Sequence, residues 1–311
     1  MRIIRDFQSC PPESQGAVVA LGNFDGVHKG HQEILDQCIA AARAYKVPAA
    51  VMTFEPHPRE FFSKTHERLR LCSFRRKVAL MEEMGIDTMF LVRFNRQFSS
   101  LSAANFVDEV LHQQLAVKHV VTGYNFAFGK NRTGTTDYLE TRAHEFEFGF
   151  TACPPVQDDG GVISSSAIRH LLAGGEVKKA ASLLGRPYVM EGRVRRGHQR
   201  GRSIGFPTAN ISLNRLFKPR FGVYAVRATI NDGKAYDAIA NIGVKPTVGG
   251  GEQPLLEVHF FDTSQEMYGK IIQVTAIDFI RDERKFDSLE ALKAQIGMDC
   301  IKARGMLYAG A

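Results

Sequence analysis

His28 and His31 stand three residues apart in GNFDGVHKGH, residues 22–31. On the first turn of a helix, that spacing lets both imidazoles face the same side. Two ring donors aimed together suit phosphate oxygens and the charge that grows on a phosphate under attack. Gly22 and Gly26 let the backbone approach a ligand without a Cβ in the way. A helix beginning near Gly30 adds free N–H groups and a partial positive charge. An anionic phosphate answers all three features. The plainer alternative is a helix capped by Asn23 or Asp25 with two surface histidines. The glycines, the strand before and the helix after favour phosphate.

Three further stretches carry chemistry. ISSSAIR, residues 163–169, puts serine hydroxyls and the Arg169 guanidinium at a helix start, a second phosphate clamp. Phe54, Pro56, His57 and Pro58 form a stiff loop, because proline fixes φ, and such an aromatic loop could hold a flat ring. In GRVRRGHQRGRSIGFPTANI, residues 192–211, Gly197, Gly201 and Gly205 could cover a phosphate. Thr208 and Asn210, on one face if extended, offer hard neutral oxygens that suit Mg2+ held jointly with nucleotide phosphates. No Walker sequence is present, since GYNFAFGK at 123–130 has the wrong spacing and is followed by Asn131.

The elements around these residues alternate. AVVALG (17–22), AAVMTF (49–54), TMFLVRF (88–94) and HVVTG (119–123) read as strands. Helices are expected over 30–45, with Ile34, Leu35, Cys38, Ile39 and Ala42 on one face, over 74–84, and over 102–115 with Ser102 as cap. This order predicts a parallel sheet whose ligands bind at the strands' carboxyl ends, so GNFDGVHKGH, TFEPHP and TGYNFAFG could share one cleft. Past the helix EVKKAASLLG the texture changes to YVMEGRVRR, GVYAVRATI, KAYDAIANIG, LLEVHFF and KIIQVTAIDFI, which read as a β-barrel closed by a helix near 288–307. The expected domains are residues 1–185 and 186–311.

Composition sets bounds. Lys and Arg number 40 against 33 Asp and Glu among 311 residues, a formal charge of +7 that suits nucleic acid or phosphate-bearing small molecules alike. The five cysteines are scattered and never paired as C-x-x-C, which argues against a disulfide framework or a zinc site and for the reducing cytoplasm. No apolar run has transmembrane length, and the first residues have no signal-peptide core.

GNFDGVHKGH resembles the H-x-G-H nucleotidyltransferase signature. TFEPHPREFF, FNRQFSSLSAANF and SSSAIRHLL are similar to successive segments of the bifunctional bacterial riboflavin kinase/FMN adenylyltransferase family, and GFPTAN, NIGVKPTVGG, LEVHFFD and the last helix resemble its kinase half. The resemblance spans nearly the whole chain. It implies a Rossmann-like nucleotidyltransferase domain with a parallel sheet, followed by a riboflavin-kinase-like β-barrel with a terminal helix. ATP would phosphorylate riboflavin to FMN in the barrel, and a second ATP would adenylylate FMN to FAD with release of pyrophosphate.

By that resemblance His28, His31, Arg169 and Glu257 are catalytic, Glu257 as base for the ribityl hydroxyl. Gly22, Phe24, Asp25, Gly26, Asn125, Ser164, Ser165, Gly197, Gly205, Pro207, Thr208 and Asn210 would contact nucleotide. Phe54, Pro56, Pro58 and Phe62 would contact flavin, and Thr208 and Asn210 would hold Mg2+. The chain departs from the family at Tyr124, Asn125 and Ala127, where paired acidic residues and an arginine are common; Asn125 is the candidate contact. The expected partners are riboflavin, FMN and ATP, with no nucleic acid, membrane or obligate protein partner. One rival is an RNA- or DNA-binding barrel built on Arg193, Arg195, Arg196, Arg200 and Arg202, but aromatics for base stacking are missing from that run. Another is an adenylyltransferase with a regulatory barrel.

Overall fold

The computed structural model describes residues 1–5, 10–63, 69–195, 205–213, 216–231, 233–246, 252–263 and 267–309. It divides into two compact units, Met1–Glu67 with Lys77–Ile163, and Arg68–Arg76 with Ser164–Ala311.

In chain order come β1 (Arg2–Ile4), β2 (Val18–Leu21), α1 (Lys29–Tyr45), β3 (Ala49–Glu55), α2 (Pro58–Phe62), α3 (Phe74–Glu83), β4 (Thr88–Arg93), α4 (Arg96–Ser99), α5 (Ala103–Asn105), β5 (His119–Gly123), α6 (Thr136–Glu145), β6 (Gly149–Cys153), β7 (Gln157–Asp158) and β8 (Gly161–Val162). β1 to β6 form one sheet in the order β1-β4-β3-β2-β5-β6, with every pairing parallel. β2 is buried along its whole length, as a strand covered on both faces must be. α1 turns Leu35, Cys38, Ile39 and Ala42 inward. From β2 the chain steps outward through β3 and β4, then returns to place β5 on the other flank of β2. The strand order therefore reverses beside β2, and ligands in such sheets bind at the carboxyl ends where it does.

Two edge strands, β1 and β6, lie outside the four strands expected. Both are short, and β6 shows little apolar contrast, with only Cys153 buried. Ser102 does cap the expected helix, its Oγ accepting the Asn105 N–H at 3.0 Å. After α5, however, residues Phe106–Gln114 wind as a π-helix instead of an α-helix. The wider turn seats Phe106, Val107, Val110 and Leu111 together in the core.

The second unit holds α7 (Ser165–Ala173), α8 (Val177–Leu184), β9 (Val189–Arg195), β10 (Ala209–Ser212), β11 (Gly222–Ile230), β12 (Ala235–Pro246), β13 (Glu252–Phe260), β14 (Ile271–Asp282) and α9 (Leu289–Ala309). The six strands close into an antiparallel barrel, β10-β13-β12-β11-β14-β9. Closure leaves no strand edge open. Five of these strands match the sequence expectation; β10, only four residues long and set in the GFPTAN stretch, is not among the expected strands. α9 lays Ala303 and Leu307 over Val223, Ala225, Ile239, Phe261 and Ile280 on the barrel's outside. Arg281 and Asp299 fix it with a two-toothed ion pair, Nη2 to Oδ2 at 2.6 Å.

All five cysteines are free thiols. Burial pushes Cys38 up to about 12 and Cys153 up to about 11, so both are core residues.

Gly222 opens β11 at φ +148°, and a Cβ there would lie 2.2 Å from the Arg281 carbonyl oxygen. Gly222→Ala should therefore lower stability by about 2–4 kcal/mol, combining strained φ with overpacking. Urea unfolding followed by circular dichroism measures this, and an unchanged midpoint would mean the barrel gives way at that seam.

Candidate active sites

The turn from β2 into α1 bends sharply. Phe24, Gly26 and Val27 have φ of +49°, +81° and +43°. Positive φ at two non-glycine residues stores strain, which persists only where surroundings hold it. Phe24 is fully buried, and a Cβ on Gly22 would sit 3.1 Å from its ring. The room that Gly22 leaves thus goes to the Phe24 ring. Asp25, between Phe24 and Gly26, is buried as well.

Neither Asn23 nor Asp25 caps α1. His28 does: its Nδ1 accepts the His31 N–H at 3.3 Å, a bond shared with the His28 carbonyl at 2.7 Å. Asparagine or aspartate is the usual cap, but α1 begins at Lys29, so the cap position falls on His28 and not on Asn23 or Asp25. An accepting Nδ1 puts the proton of the neutral ring on Nε2. His31 stacks on His28 with centroids 3.6 Å apart and planes 19° apart. Phe24 meets His31 edge-on at 5.4 Å. Gly30 leaves space for the His28 ring, 3.3 Å from where its Cβ would stand. The paired imidazoles are therefore held from three sides at the amino end of α1, beside the carboxyl end of β2.

The neighbouring strand ends bring the other expected segments close. Gly22 N–H donates to the Met52 carbonyl on β3, and β5 flanks β2 on its other side. Pro56 follows β3, and Pro58 opens α2, where the His57 Nδ1 accepts the Arg59 N–H at 3.1 Å. Phe54 is buried against Phe94 and Phe98, while Phe62 is 66% exposed against Phe61 and Phe94. Beyond β5, Asn125 is exposed, and a Cβ on Gly123 would stand 3.8 Å from its Oδ1 and 3.4 Å from Ile34 on α1.

Ser164, Ser165 and Arg169 belong to the second unit. Ser164 caps α7, its Oγ accepting the Ala167 N–H at 3.2 Å. Arg169 is buried, and its Nε donates to the Leu69 carbonyl at 2.6 Å.

In the barrel, register does what sequence spacing cannot. Asn210 on β10 lies opposite Glu257 on β13, and Glu257 lies opposite Asn241 on β12. On its other side Asn210 faces Arg195 of β9. Directly opposed residues point to one face. Leu256 and Val258 are fully buried inside, so half-buried Glu257 points outward. A polar row, Arg195, Asn210, Glu257 and Asn241, thus crosses four strands of the barrel's outer face. Thr208 is half-buried just before β10, and Asn210 Nδ2 donates to its carbonyl at 3.4 Å. Gly205 stands at φ +89°, and the carbonyl of Pro207 accepts from His259 Nδ1 at 2.9 Å. Gly197, with Gly201, Arg196, Arg200 and Arg202, lies outside the described residues.

Sequence reasoning missed Asn241, whose Nδ2 donates to Glu283 at 2.9 Å, because its place beside Glu257 depends on pairing between strands. It also missed His259, although that residue stands two positions after Glu257 and so on the same face.

A family model described as FAD synthetase matches residues 10–167, and one described as riboflavin kinase matches residues 184–307. The bifunctional riboflavin kinase/FMN adenylyltransferase of Escherichia coli strain K12 is 41% identical over 305 residues, covering 98% of this chain and 97% of that one. The protein of the same description from Bacillus subtilis strain 168 is 40% identical and covers 92% of this chain and 91% of its own. A crystal structure described as a macrolide-efflux protein from Streptococcus pneumoniae superposes with a TM-score of 0.85 at 34% identity, covering 97% of this chain and 98% of that one. Its description names a different activity from those of the curated relatives. Among the described residues of this chain, no helix is long and apolar enough to cross a membrane. With both halves matched in order and relatives aligned almost end to end, the chain belongs to the family of bifunctional riboflavin kinase/FMN adenylyltransferases.

Proposed function

We infer that the chain makes FMN from riboflavin and ATP, and FAD from FMN and a second ATP with release of pyrophosphate. The observation that carries this reading is that each unit has its own polar site suited to phosphate: stacked imidazoles at a helix start in one, a cross-strand polar row in the other. The labour divides between residues 1–185, for adenylyl transfer, and 186–311, for phosphorylation. The separate family matches to 10–167 and 184–307 support that division.

In the barrel, Glu257 takes the proton of the ribityl 5′-hydroxyl as that oxygen attacks the γ-phosphorus. Gly197, Gly205 and Pro207 line the nucleotide phosphates. Thr208 and Asn210 would hold Mg2+: half-buried and buried neutral oxygen donors beside an acidic residue fit that ion when it is shared with phosphates. Bound there, Mg2+ neutralises phosphate charge during transfer.

For adenylyl transfer, the FMN phosphate is already an anionic nucleophile and needs no base. His28 and His31 offset charge on the α-phosphate and the departing pyrophosphate. Gly22, Phe24, Asp25 and Gly26 shape that turn, and Asn125 contacts the nucleotide. Ser164, Ser165 and Arg169 are assigned to phosphate contact as well. Phe54, Pro56, Pro58 and exposed Phe62 offer a surface for the flavin ring. The partners are riboflavin, FMN and ATP, with neither nucleic acid nor membrane among them. Five free thiols suit a reducing cytoplasm.

His28→Ala or His31→Ala should cut FAD formation by about a hundred- to a thousandfold while FMN accumulates. His28→Asn restores a cap without an imidazole, so it should fold as well as the parent and stay inactive in adenylyl transfer. Flavin chromatography of each variant checks this, and equal loss of both products in a folded variant would remove the histidines from the site.

Glu257→Gln should slow riboflavin phosphorylation by roughly a hundred- to ten-thousandfold and spare FMN adenylylation. An unchanged kinase rate would make Glu257 an ordinary strand carboxylate.

Residues 186–311, expressed alone, should fold cooperatively and convert riboflavin to FMN with Mg-ATP, but make no FAD. A longer fragment, 164–311, keeps α7 and α8 and guards against instability from an early cut. A folded fragment of either length without kinase activity would end the division of labour.

A further inference from the structure

Lys77 on α3 is only 5% exposed, and the reactions above make no use of it. Its Nζ donates to the main-chain carbonyl of Asn23 at 2.8 Å. The Thr53 hydroxyl donates to the same carbonyl at 3.2 Å. Among the described residues this is the one hydrogen bond of the Lys77 ammonium, and no carboxylate stands within ion-pair distance of it.

A buried charge is costly unless paired, and paired lysines usually meet a carboxylate. Stability alone would favour methionine, which has a similar length and no charge, at this place. The charge needs another reason, and its position supplies one. Asn23 is the residue from which the left-handed turn Phe24–Val27 departs, and that turn delivers His28 to the head of α1. A charge in the low-dielectric interior acts over a longer range than one in water.

We propose that Lys77 is a positioning residue of adenylyl transfer: its ammonium anchors the Asn23 carbonyl, and so the turn that carries His28, and its charge is answered by the nucleotide's phosphates. The inference rests on the assignment of adenylyl transfer to the first unit, and it separates two tasks that one lysine performs. Through Asn23 it holds the main chain. Through its charge it favours a polyphosphate over a neutral nucleoside.

The test uses Lys77→Met and Lys77→Arg in the full chain. Five quantities are measured: thermal unfolding, riboflavin phosphorylation, FAD formation, and inhibition of FAD formation by inorganic pyrophosphate and by adenosine. The methionine variant should unfold no earlier than the parent, because an apolar side chain replaces a buried charge. It should phosphorylate riboflavin at the parent rate. FAD formation and pyrophosphate inhibition should each weaken by about tenfold or more, with adenosine inhibition held within about threefold, since only the charged probe senses the ammonium. The arginine variant keeps the charge and should keep pyrophosphate inhibition within about threefold of the parent. Earlier unfolding or failure to fold of the methionine variant would assign Lys77 to stability and overturn the proposal. So would unchanged pyrophosphate inhibition, equal weakening of both inhibitors, or an arginine variant that behaves like methionine. A parent chain that makes FMN but no FAD would instead overturn the adenylyl-transfer assignment itself.

Discussion

The imidazole of His28 stands where helix α1 begins, and its Nδ1 must keep a lone pair turned toward the His31 N–H. That demand fixes the ring's tautomer and its tilt, and with them the direction of the Nε2 donor. It also fixes His31, which lies flat on the same ring. Around this contact the rest of the first unit falls into order. The turn can reach His28 only by taking three left-handed residues in four, and the Phe24 ring, filling the room over Gly22, keeps it there. β2 must lie between β3 and β5 for the turn to open at the place where strand order reverses. A donor held in place before a substrate arrives needs no reorganisation during reaction, and the role proposed for His28 rests on that preorganisation.

The barrel meets the same need with a different device. Helix starts supply no donors in its polar row; register does. Because β10 pairs with β13 and β13 with β12, residues far apart in sequence line up as Asn210, Glu257 and Asn241. Interior side chains such as Ile211, Leu256 and Ile242 lock that register from below, since a slip of one residue would turn every polar group inward. His259, at Pro207, ties the GFPTAN stretch to the strand that bears Glu257.

Much of this was legible in the residues themselves. The β2–α1 turn announces itself through glycines and paired histidines, and five barrel strands through strand-like stretches set apart by glycine and polar turns. The cap was not legible, because imidazole is a rare cap and the left-handed turn that demands it is encoded by Phe24 and Val27, which read as ordinary core residues. β1 and β10 are only three and four residues long, and β6, GFTAC, mixes small and polar residues, so none stands out from loops. The π-helix at Phe106–Gln114 has an apolar pattern close enough to an α-helix that only hydrogen-bond geometry separates them. Asn241 beside Glu257, and the grouping of Arg68–Arg76 with the second unit, are products of long-range pairing that no local window contains.

The central claim is that one chain moves two different parts of ATP onto a flavin, by two sites. Tracing labelled phosphorus tests it most directly. The full chain is incubated with riboflavin and ATP labelled either at the γ- or at the α-phosphorus, and the flavins are separated. The expected result is γ-label in FMN and retained in FAD, with α-label in FAD alone. Label from the α-phosphorus in FMN, or FAD carrying no α-label, would contradict the account, as would riboflavin left unlabelled by either ATP.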